Sequence, residues 1–106
     1  MTLELRIEPE AGEELEHAAL WYDVEQPGLG TEFLDLVVAA LERVRQWPEV
    51  GPAVQGVVAE VRVRRLTLAR FPYSIVYVLH RDAIHVVAIA HNHRRPDYWH
   101  DRLASG

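Results

Sequence analysis

The chain has 106 residues, of which 49% are hydrophobic and 25% are charged. This balance predicts one globular domain over residues 1–106 and excludes a disordered chain. It has no cysteine, which excludes disulfides and thiolate metal sites. The net charge of −5 is uneven, because residues 1–60 hold thirteen acids against three arginines, and residues 61–106 hold eight arginines against three acids. The C-terminal part can therefore present a basic surface while the N-terminal part stays acidic.

The N-terminal residues show an alternating pattern and not that of a signal peptide. No apolar run reaches the length of a membrane span, so we predict a cytoplasmic protein without a membrane partner. Leu3, Leu5 and Ile7 alternate with charged residues. The alternation predicts a strand over residues 2–8 with one buried face.

Helical spacing follows this first strand. Apolar side chains recur between Leu15 and Tyr22 at helical intervals, which predicts a helix over residues 10–25. After a Pro-Gly pair, a wide apolar stripe predicts a second helix over residues 30–47, ended by Pro48. The stripe consists of Phe33, Leu34, Val37, Val38, Leu41 and Val44. With so short a link, the two helices form an antiparallel hairpin.

Three strand-like runs follow a loop that is rich in glycine and proline. Their period-two patterns predict an antiparallel meander, with the middle run central because it is apolar on nearly both sides. The predicted strands are residues 60–67, 72–80 and 83–91. A short final helix is predicted from Pro96 to Arg102. The fold class is therefore α+β, with the helical hairpin on one face of the sheet.

All basic residues of the chain other than histidine are arginines, which suit bidentate contact with phosphate or carboxylate groups. Most of them lie in or beside the predicted meander. The candidates for contact with phosphates or with an acidic partner are Arg62, Arg64, Arg65, Arg70, Arg94 and Arg95. The alternative role of these charges is to protect exposed strand edges from pairing.

The histidines at the end of the last strand allow two interpretations. His91, near Arg94 and Tyr98, could act as a general acid or base in RNA cleavage, or it could cap the strand end by hydrogen bonding. His91 and His93 share a strand face if the strand continues. A metal site is not predicted, because His85, on the same face as His91, is roughly 20 Å away along a strand.

The aromatic pair near the C-terminus has two candidate roles. Aromatic rings can stack on bases or contact a partner, and they can also fix a helix to a sheet. Trp99 is predicted to anchor the final helix, whereas Tyr98 is a candidate contact residue. Glycine-rich phosphate loops and Ser/His/Asp arrangements are absent from the sequence, so no cofactor is expected.

The order of elements and several segments resemble the RelE/ParE superfamily of toxins from type II toxin–antitoxin systems. The resemblance covers residues 3–102. The matching segments are Gly28-Leu29-Gly30 with Phe33-Leu34, Trp47 to Pro52, Val61-Arg62, Arg70-Phe71-Pro72-Tyr73 with Val76-Tyr77, Ala88 to His91, and Arg94 to Trp99. The Arg-Phe-Pro-Tyr segment and the Tyr-Trp tail are similar to the ParE-like plasmid-stabilisation branch.

The resemblance implies a small toxin neutralised by a cognate antitoxin, in a toxin–antitoxin hetero-oligomer. A ParE-like protein would inhibit DNA gyrase by binding it and would not be an enzyme. The contacts with partners would come from Arg62, Arg64, Arg65, Arg94, Arg95 and Tyr98.

Two alternatives stay open. A RelE-like protein would cleave mRNA on the ribosome, with His91, Tyr98 and Arg70 as catalytic residues. A degenerate member would bind its antitoxin without being toxic. The acidic net charge and the absence of lysine favour gyrase over the ribosome, because a dense phosphate field repels an acidic chain.

Overall fold

A four-stranded sheet and two helices make up the fold in the computed structural model, which describes residues 3–55 and 62–105. In chain order the elements are β1 (Glu4–Ile7), α1 (Pro9–Glu25), α2 (Leu29–Gln46), β2 (Val63–Thr67), β3 (Tyr73–His80), β4 (Ala83–His91) and a C-terminal 3₁₀ helix (His100–Ser105). The predicted α+β class and the order of strand, helical hairpin and meander are confirmed. Of the predicted strand residues, 2, 60 and 61 lie outside the described residues.

The strands are ordered β1-β4-β3-β2 across the sheet. The last three strands form the predicted antiparallel meander, and β3 lies inside the sheet as expected. β1 pairs in parallel with β4, with Leu5 opposite Ile84. The outer edge of β2 is partly covered, because the backbone N–H of Val54 donates to the carbonyl of Val63 at 2.9 Å.

The two helices approach closely near the turn that joins them. Pro9 starts α1 at a position where no backbone N–H is needed, and Gly28 precedes α2 with a left-handed φ of 92°. The carboxylate of Asp23 accepts the N–H of Gly30 at 2.8 Å. A Cβ at Gly30 would lie 2.4 Å from the carbonyl oxygen of Ala19, so this contact requires glycine. None of the helices in residues 3–55 and 62–105 is long and apolar enough to cross a membrane.

The main core lies between the helices and one face of the sheet. Tyr22 and Phe33 from the helices pack against Phe71 and Tyr73 from the β2–β3 turn and β3, with ring centroids 4.9–6.2 Å apart. Burial is the reason why the pKa values of Tyr22 and Tyr73 are raised. The predicted apolar stripe of α2 is wider than the surface that is buried in this core, because Leu34 and Val38 are exposed.

A second, smaller core covers the opposite face of the sheet. Trp99 is fully buried there against the valines and alanines of the meander, namely Val63, Val76, Val78, Val87, Ala88 and Ala90. The predicted anchoring role of Trp99 is thus confirmed. The final helix begins at His100 and not at Pro96, because residues 96–99 form turns.

A bulge in β4 changes which side chains share a face. Val76 lies opposite Ala88, but Tyr77 lies opposite Val86, so one extra residue of β4 is left between them. His85 therefore pairs with Val78 of the smaller core, whereas His91 pairs with Tyr73 on the helix-covered face. The expectation that these two histidines share a face was wrong, because unbroken alternation does not hold across a bulge.

Candidate functional site

Basic and polar side chains gather where three strands of the meander end. The C-terminal ends of β2 and β4 and the N-terminal end of β3 lie at the same end of the sheet, because neighbouring strands are antiparallel. We call this region the basic strand end. It consists of Arg65, Thr67, Arg70, Ser74, His91, Asn92, His93 and Arg94. The meander thus brings together candidates that are up to 29 positions apart in the sequence.

A hydrogen-bond network fixes one side of the basic strand end. The hydroxyl of Ser74, which is fully buried, donates to Oδ1 of Asn92 at 2.6 Å and lies 3.2 Å from Oγ1 of Thr67. Nη2 of Arg65 donates to the same Oδ1 at 3.2 Å. The backbone N–H of Asn92 donates to the carbonyl of Pro72 at 2.8 Å. These bonds hold the Arg65 guanidinium close to the end of β4.

His91 ends β4 with its ring between two other rings. Its centroid lies 5.0 Å from the Tyr73 ring and 5.3 Å from the His93 ring. Nδ1 of His91 accepts the backbone N–H of His93 at 3.1 Å, so in the neutral ring the proton is on Nε2. The predicted capping interaction is therefore present. The chain turns after His91, and His93 does not continue the strand.

Glu14 on α1 links this surface to the helical hairpin. Its Oε1 accepts hydrogen bonds from the backbone N–H of Ile89 at 3.1 Å and from Nη1 of Arg102 at 2.9 Å. Its Oε2 accepts from the Tyr98 hydroxyl at 2.6 Å and from Nη2 of Arg102 at 3.1 Å, and lies 3.5 Å from Nη1 of Arg94. We call this group, made of Glu14, Tyr98, Arg94 and Arg102, the Glu14 cluster.

The side chain of Glu14 is only 15% exposed, so these donors compensate for most of the hydration that its carboxylate loses. The hydrogen bond to Glu14 is also the main reason why the pKa of Arg102 is raised. Two arginines against one carboxylate leave the Glu14 cluster with a net positive charge. The sequence shows no signal for this role, because Glu14 is one of several glutamates in the first turns of α1.

Tyr98 is held by Glu14 on one side and by arginine on the other. The Arg94 guanidinium carbon lies 3.7 Å from the centre of the Tyr98 ring, in a cation–π contact. Burial, and next the hydrogen bond to Glu14, raise the pKa of the Tyr98 hydroxyl far above its usual range. The hydroxyl is therefore a neutral donor to Glu14, and the ring lies beside Arg94.

The other predicted contact residues are placed differently. Nη1 of Arg64 donates to the carbonyls of Glu49 and Gly51 at 3.2 and 2.8 Å, which ties the loop after α2 to β2. Arg95 pairs with Asp97 at 3.2 Å in full solvent contact. Arg62 is exposed just before β2. The structure thus gives Arg64 a loop-binding contact, whereas the side chains of Arg62 and Arg95 are exposed.

Arg70 stands in the β2–β3 turn with a left-handed φ of 72°. Its guanidinium lies 3.7 Å from Glu32 of α2 and 5.7 Å from the centre of the Phe71 ring. His91 contacts Tyr73 and His93, and Tyr98 contacts Glu14. Arg70, His91 and Tyr98, the catalytic residues of the endonuclease alternative, thus each contact a different set of side chains.

Metal ligands are not grouped in the described part of the chain. Residues 3–55 and 62–105 contain no cluster of three or more histidine, aspartate or glutamate side chains with the geometry to hold an ion. His85 instead pairs with Glu8, with Nδ1 and Oε1 3.0 Å apart.

The comparison with known proteins rests on structure. No family model and no curated protein matches the sequence. A chain of the solved structure "Chromosomal ParDE TA system from P. aeruginosa" matches with a TM-score of 0.72 and 22% sequence identity. The match covers 85% of this chain and 96% of that chain. The similarity shows a shared fold and confirms the architecture implied by the resemblance to the RelE/ParE superfamily.

Proposed function

We propose that this protein is a ParE-like toxin of a type II toxin–antitoxin system, which acts in the cytoplasm by binding DNA gyrase and is neutralised by a cognate antitoxin. The observation that carries the proposal is the shared fold with a chain of a ParDE toxin–antitoxin structure. The basic strand end and the Glu14 cluster support it, because they supply a positively charged surface on an otherwise acidic protein.

The antitoxin would bind along the meander through an acidic segment that folds on binding. Arg65 is held toward the end of β4 by Asn92, and Arg62 is exposed at the start of β2. Both guanidinium groups suit charge-assisted hydrogen bonds to carboxylates. Arg64 is already engaged by two loop carbonyls, so we assign it a supporting role.

The contact with gyrase would use the segment from Arg94 to Tyr98. The guanidinium of Arg94 places a positive charge beside the Tyr98 ring, and the Arg95 side chain is exposed to solvent. Arginine and tyrosine are enriched among residues that dominate binding energy at protein interfaces. This surface needs no proton transfer, so the proposal describes a binding inhibitor and not an enzyme.

The placement of Tyr98 also argues against the endonuclease alternative. RNA cleavage requires a group that takes up a proton from the 2′-OH and another that donates one to the leaving oxygen. The Tyr98 hydroxyl is committed to Glu14, with a pKa raised by burial. It is thus a poor general base near neutral pH, and the acid–base work would fall on His91 alone.

The decisive experiment compares two activities of the purified protein. The protein is first co-expressed with the product of a neighbouring antitoxin gene. The two proteins are then separated under denaturing conditions, and the purified protein is refolded. Inhibition of DNA supercoiling by gyrase, reversed by adding the antitoxin, is the expected result. If gyrase is unaffected and primer extension shows discrete cuts in mRNA on translating ribosomes, the endonuclease alternative replaces the proposal. If neither activity appears while the antitoxin still binds, the protein is a degenerate member.

A further inference from the structure

Helix α1 exposes three large apolar side chains on the face directed away from the sheet. Leu20, Trp21 and Val24 are 66%, 59% and 82% exposed. Val24 lies four residues after Leu20 and three after Trp21, so it is a neighbour of both on the helix surface and the three form a continuous strip. The opposite face of α1 is fully used, since Ala11, Ala18, Ala19 and Tyr22 are buried in the main core. The strip therefore contributes nothing to the packing of the helix on the sheet.

The charge around this strip has a single sign. Between Pro9 and Glu25, α1 has six acidic side chains and no lysine or arginine. Five of the acids are exposed, namely Glu10, Glu13, Glu16, Asp23 and Glu25. Glu13 and His17 continue the line of the strip toward the start of the helix. The outer face of α1 is thus acidic in its first half and apolar in its second half.

We propose that the outer face of α1 is a docking site for a basic amphipathic helix of another protein, with Trp21 as its central contact. Apolar side chains of that helix would cover Leu20, Trp21 and Val24, and its lysines or arginines would lie near Glu13 and Glu16. This surface lies on the opposite side of α1 from the sheet, and the proposal does not depend on the gyrase and antitoxin assignments.

Charge and area select this partner over a second copy of the chain. Two α1 helices packed face to face would bring five exposed acids against five, which is unfavourable. Three apolar side chains also cover much less than the roughly 800 Å² per partner of a standard stable interface. A short helix that binds through a few anchors needs less area.

Binding of defined peptides tests the site. The probes are two fluorescent helical peptides of about 18 residues with the same leucine spacing, one with lysine and one with glutamate at the polar positions. Fluorescence anisotropy in about 0.15 M salt is expected to show binding of the lysine peptide only. Chemical-shift changes should centre on α1.

Two exposed tryptophans provide a matched control. Trp21→Glu is expected to weaken binding of the lysine peptide by about tenfold or more. Trp47→Glu, at a residue that is 63% exposed beyond the far end of α2, should leave it unchanged. Val24→Glu repeats the test without disturbing the edge contact between Trp21 and Tyr22.

Three results would overturn the proposal. One is undiminished binding of the lysine peptide to the Trp21 variant, because the peptide would then be attracted by net charge alone. Another is a shift pattern centred away from α1. The third is a dimer in sedimentation analysis that Trp21→Glu converts to a monomer, since the strip would then be an interface between copies.

Discussion

The hydroxyl of Tyr98 donates a 2.6 Å hydrogen bond to Oε2 of Glu14, a residue 84 positions earlier in the chain. This contact joins the first helix to the segment that follows the last strand. Arg102 completes it with two further hydrogen bonds to the same carboxylate, at 2.9 and 3.1 Å. The arrangement of the basic C-terminal segment therefore depends on one acidic side chain of α1.

Replacing Glu14 should destabilise the fold strongly. Glu14→Ala removes the carboxylate that pairs with Arg102, whose side chain is 20% exposed. It also removes the acceptor of the Tyr98 hydroxyl and of the Ile89 N–H. We expect a loss of about 3 kcal/mol in the free energy of unfolding, measured by urea denaturation. Glu13→Ala is the control, because Glu13 is exposed and should change stability by no more than about 0.5 kcal/mol. Similar losses in both variants would contradict the assigned role of the cluster.

Stability should fall in alkaline solution through the tyrosines. Burial raises the folded-state pKa of Tyr22, Tyr73, Tyr77 and Tyr98 above the ordinary value near 10. Above about pH 10 the unfolded chain loses these protons while the folded chain keeps them, so the folded state loses stability as pH rises. Below about pH 10 both states are protonated and this effect vanishes.

The variant Tyr98→Phe isolates the largest of these contributions. It should be less stable than the original protein at neutral pH, because the hydrogen bond to Glu14 is lost. Its free energy of unfolding should, however, decrease less steeply between about pH 10 and pH 11.5. The chain has no lysine or cysteine, so few other groups titrate in that range. An unchanged slope would show that Tyr98 ionises normally.

Replacing two helical glycines with alanine should change the stability of the protein in opposite directions. Gly30→Ala places a Cβ 2.4 Å from the Ala19 carbonyl oxygen and 2.8 Å from the Asp23 carboxylate. The helices must separate, at a cost of about 1–3 kcal/mol. Gly12→Ala meets only Ile7 Cγ2 at 4.0 Å and should stabilise the protein by about 0.5–1 kcal/mol through helix propensity. Thermal melting of both variants checks the two signs.

The proposed function predicts that arginine and histidine variants differ in how strongly they inhibit gyrase. The double variant Arg94→Glu and Arg95→Glu should abolish gyrase inhibition, because it reverses the charge of the proposed contact segment. His91→Gln should leave inhibition within about twofold of the original, because the site moves no proton. Arg43→Glu, at an exposed arginine of α2, is the control for charge reversal outside this segment and should remain active. Circular dichroism must confirm folding of the double variant, since Arg94 also contacts Glu14.

The opposite ranking has a clear meaning. If His91→Gln abolishes toxicity and the arginine variant retains it, His91 acts in chemistry and the endonuclease alternative applies. If both remain fully toxic, the contact surface lies elsewhere on the protein.

Periodicity and chain breakers were enough to predict most of the fold. The switch from alternation to helical spacing located α1 and α2 within one residue of their observed ends, and Pro48 explains why α2 stops. Trp99 was predicted as an anchor because aromatic rings can fix a helix to a sheet, and it is buried as expected. These signals are local, so they can be read from neighbouring residues.

The parts that were missed depend on distant contacts. Glu14 looks like any glutamate near a helix start until Arg102 and Tyr98 are brought to it. The bulge in β4 has no local sequence signal, so the face assigned to His85 was wrong. Leu34 and Val38 fit the apolar stripe of α2, but the sheet covers only part of that stripe.

The parallel pairing of β1 with β4 has a consequence for how the chain folds during synthesis. Leu5 and Ile84 are opposite each other in the sheet. β1 therefore cannot pair with β4 until the chain has left the ribosome as far as residue 84 and beyond. The contacts between α1 and α2 are close in the sequence, so the helical hairpin can form first. The basic strand end and the Glu14 cluster are then completed last. A nascent chain would thus carry its acidic hairpin before its basic surface is complete, and the contact with an acidic antitoxin that we propose would form only after that.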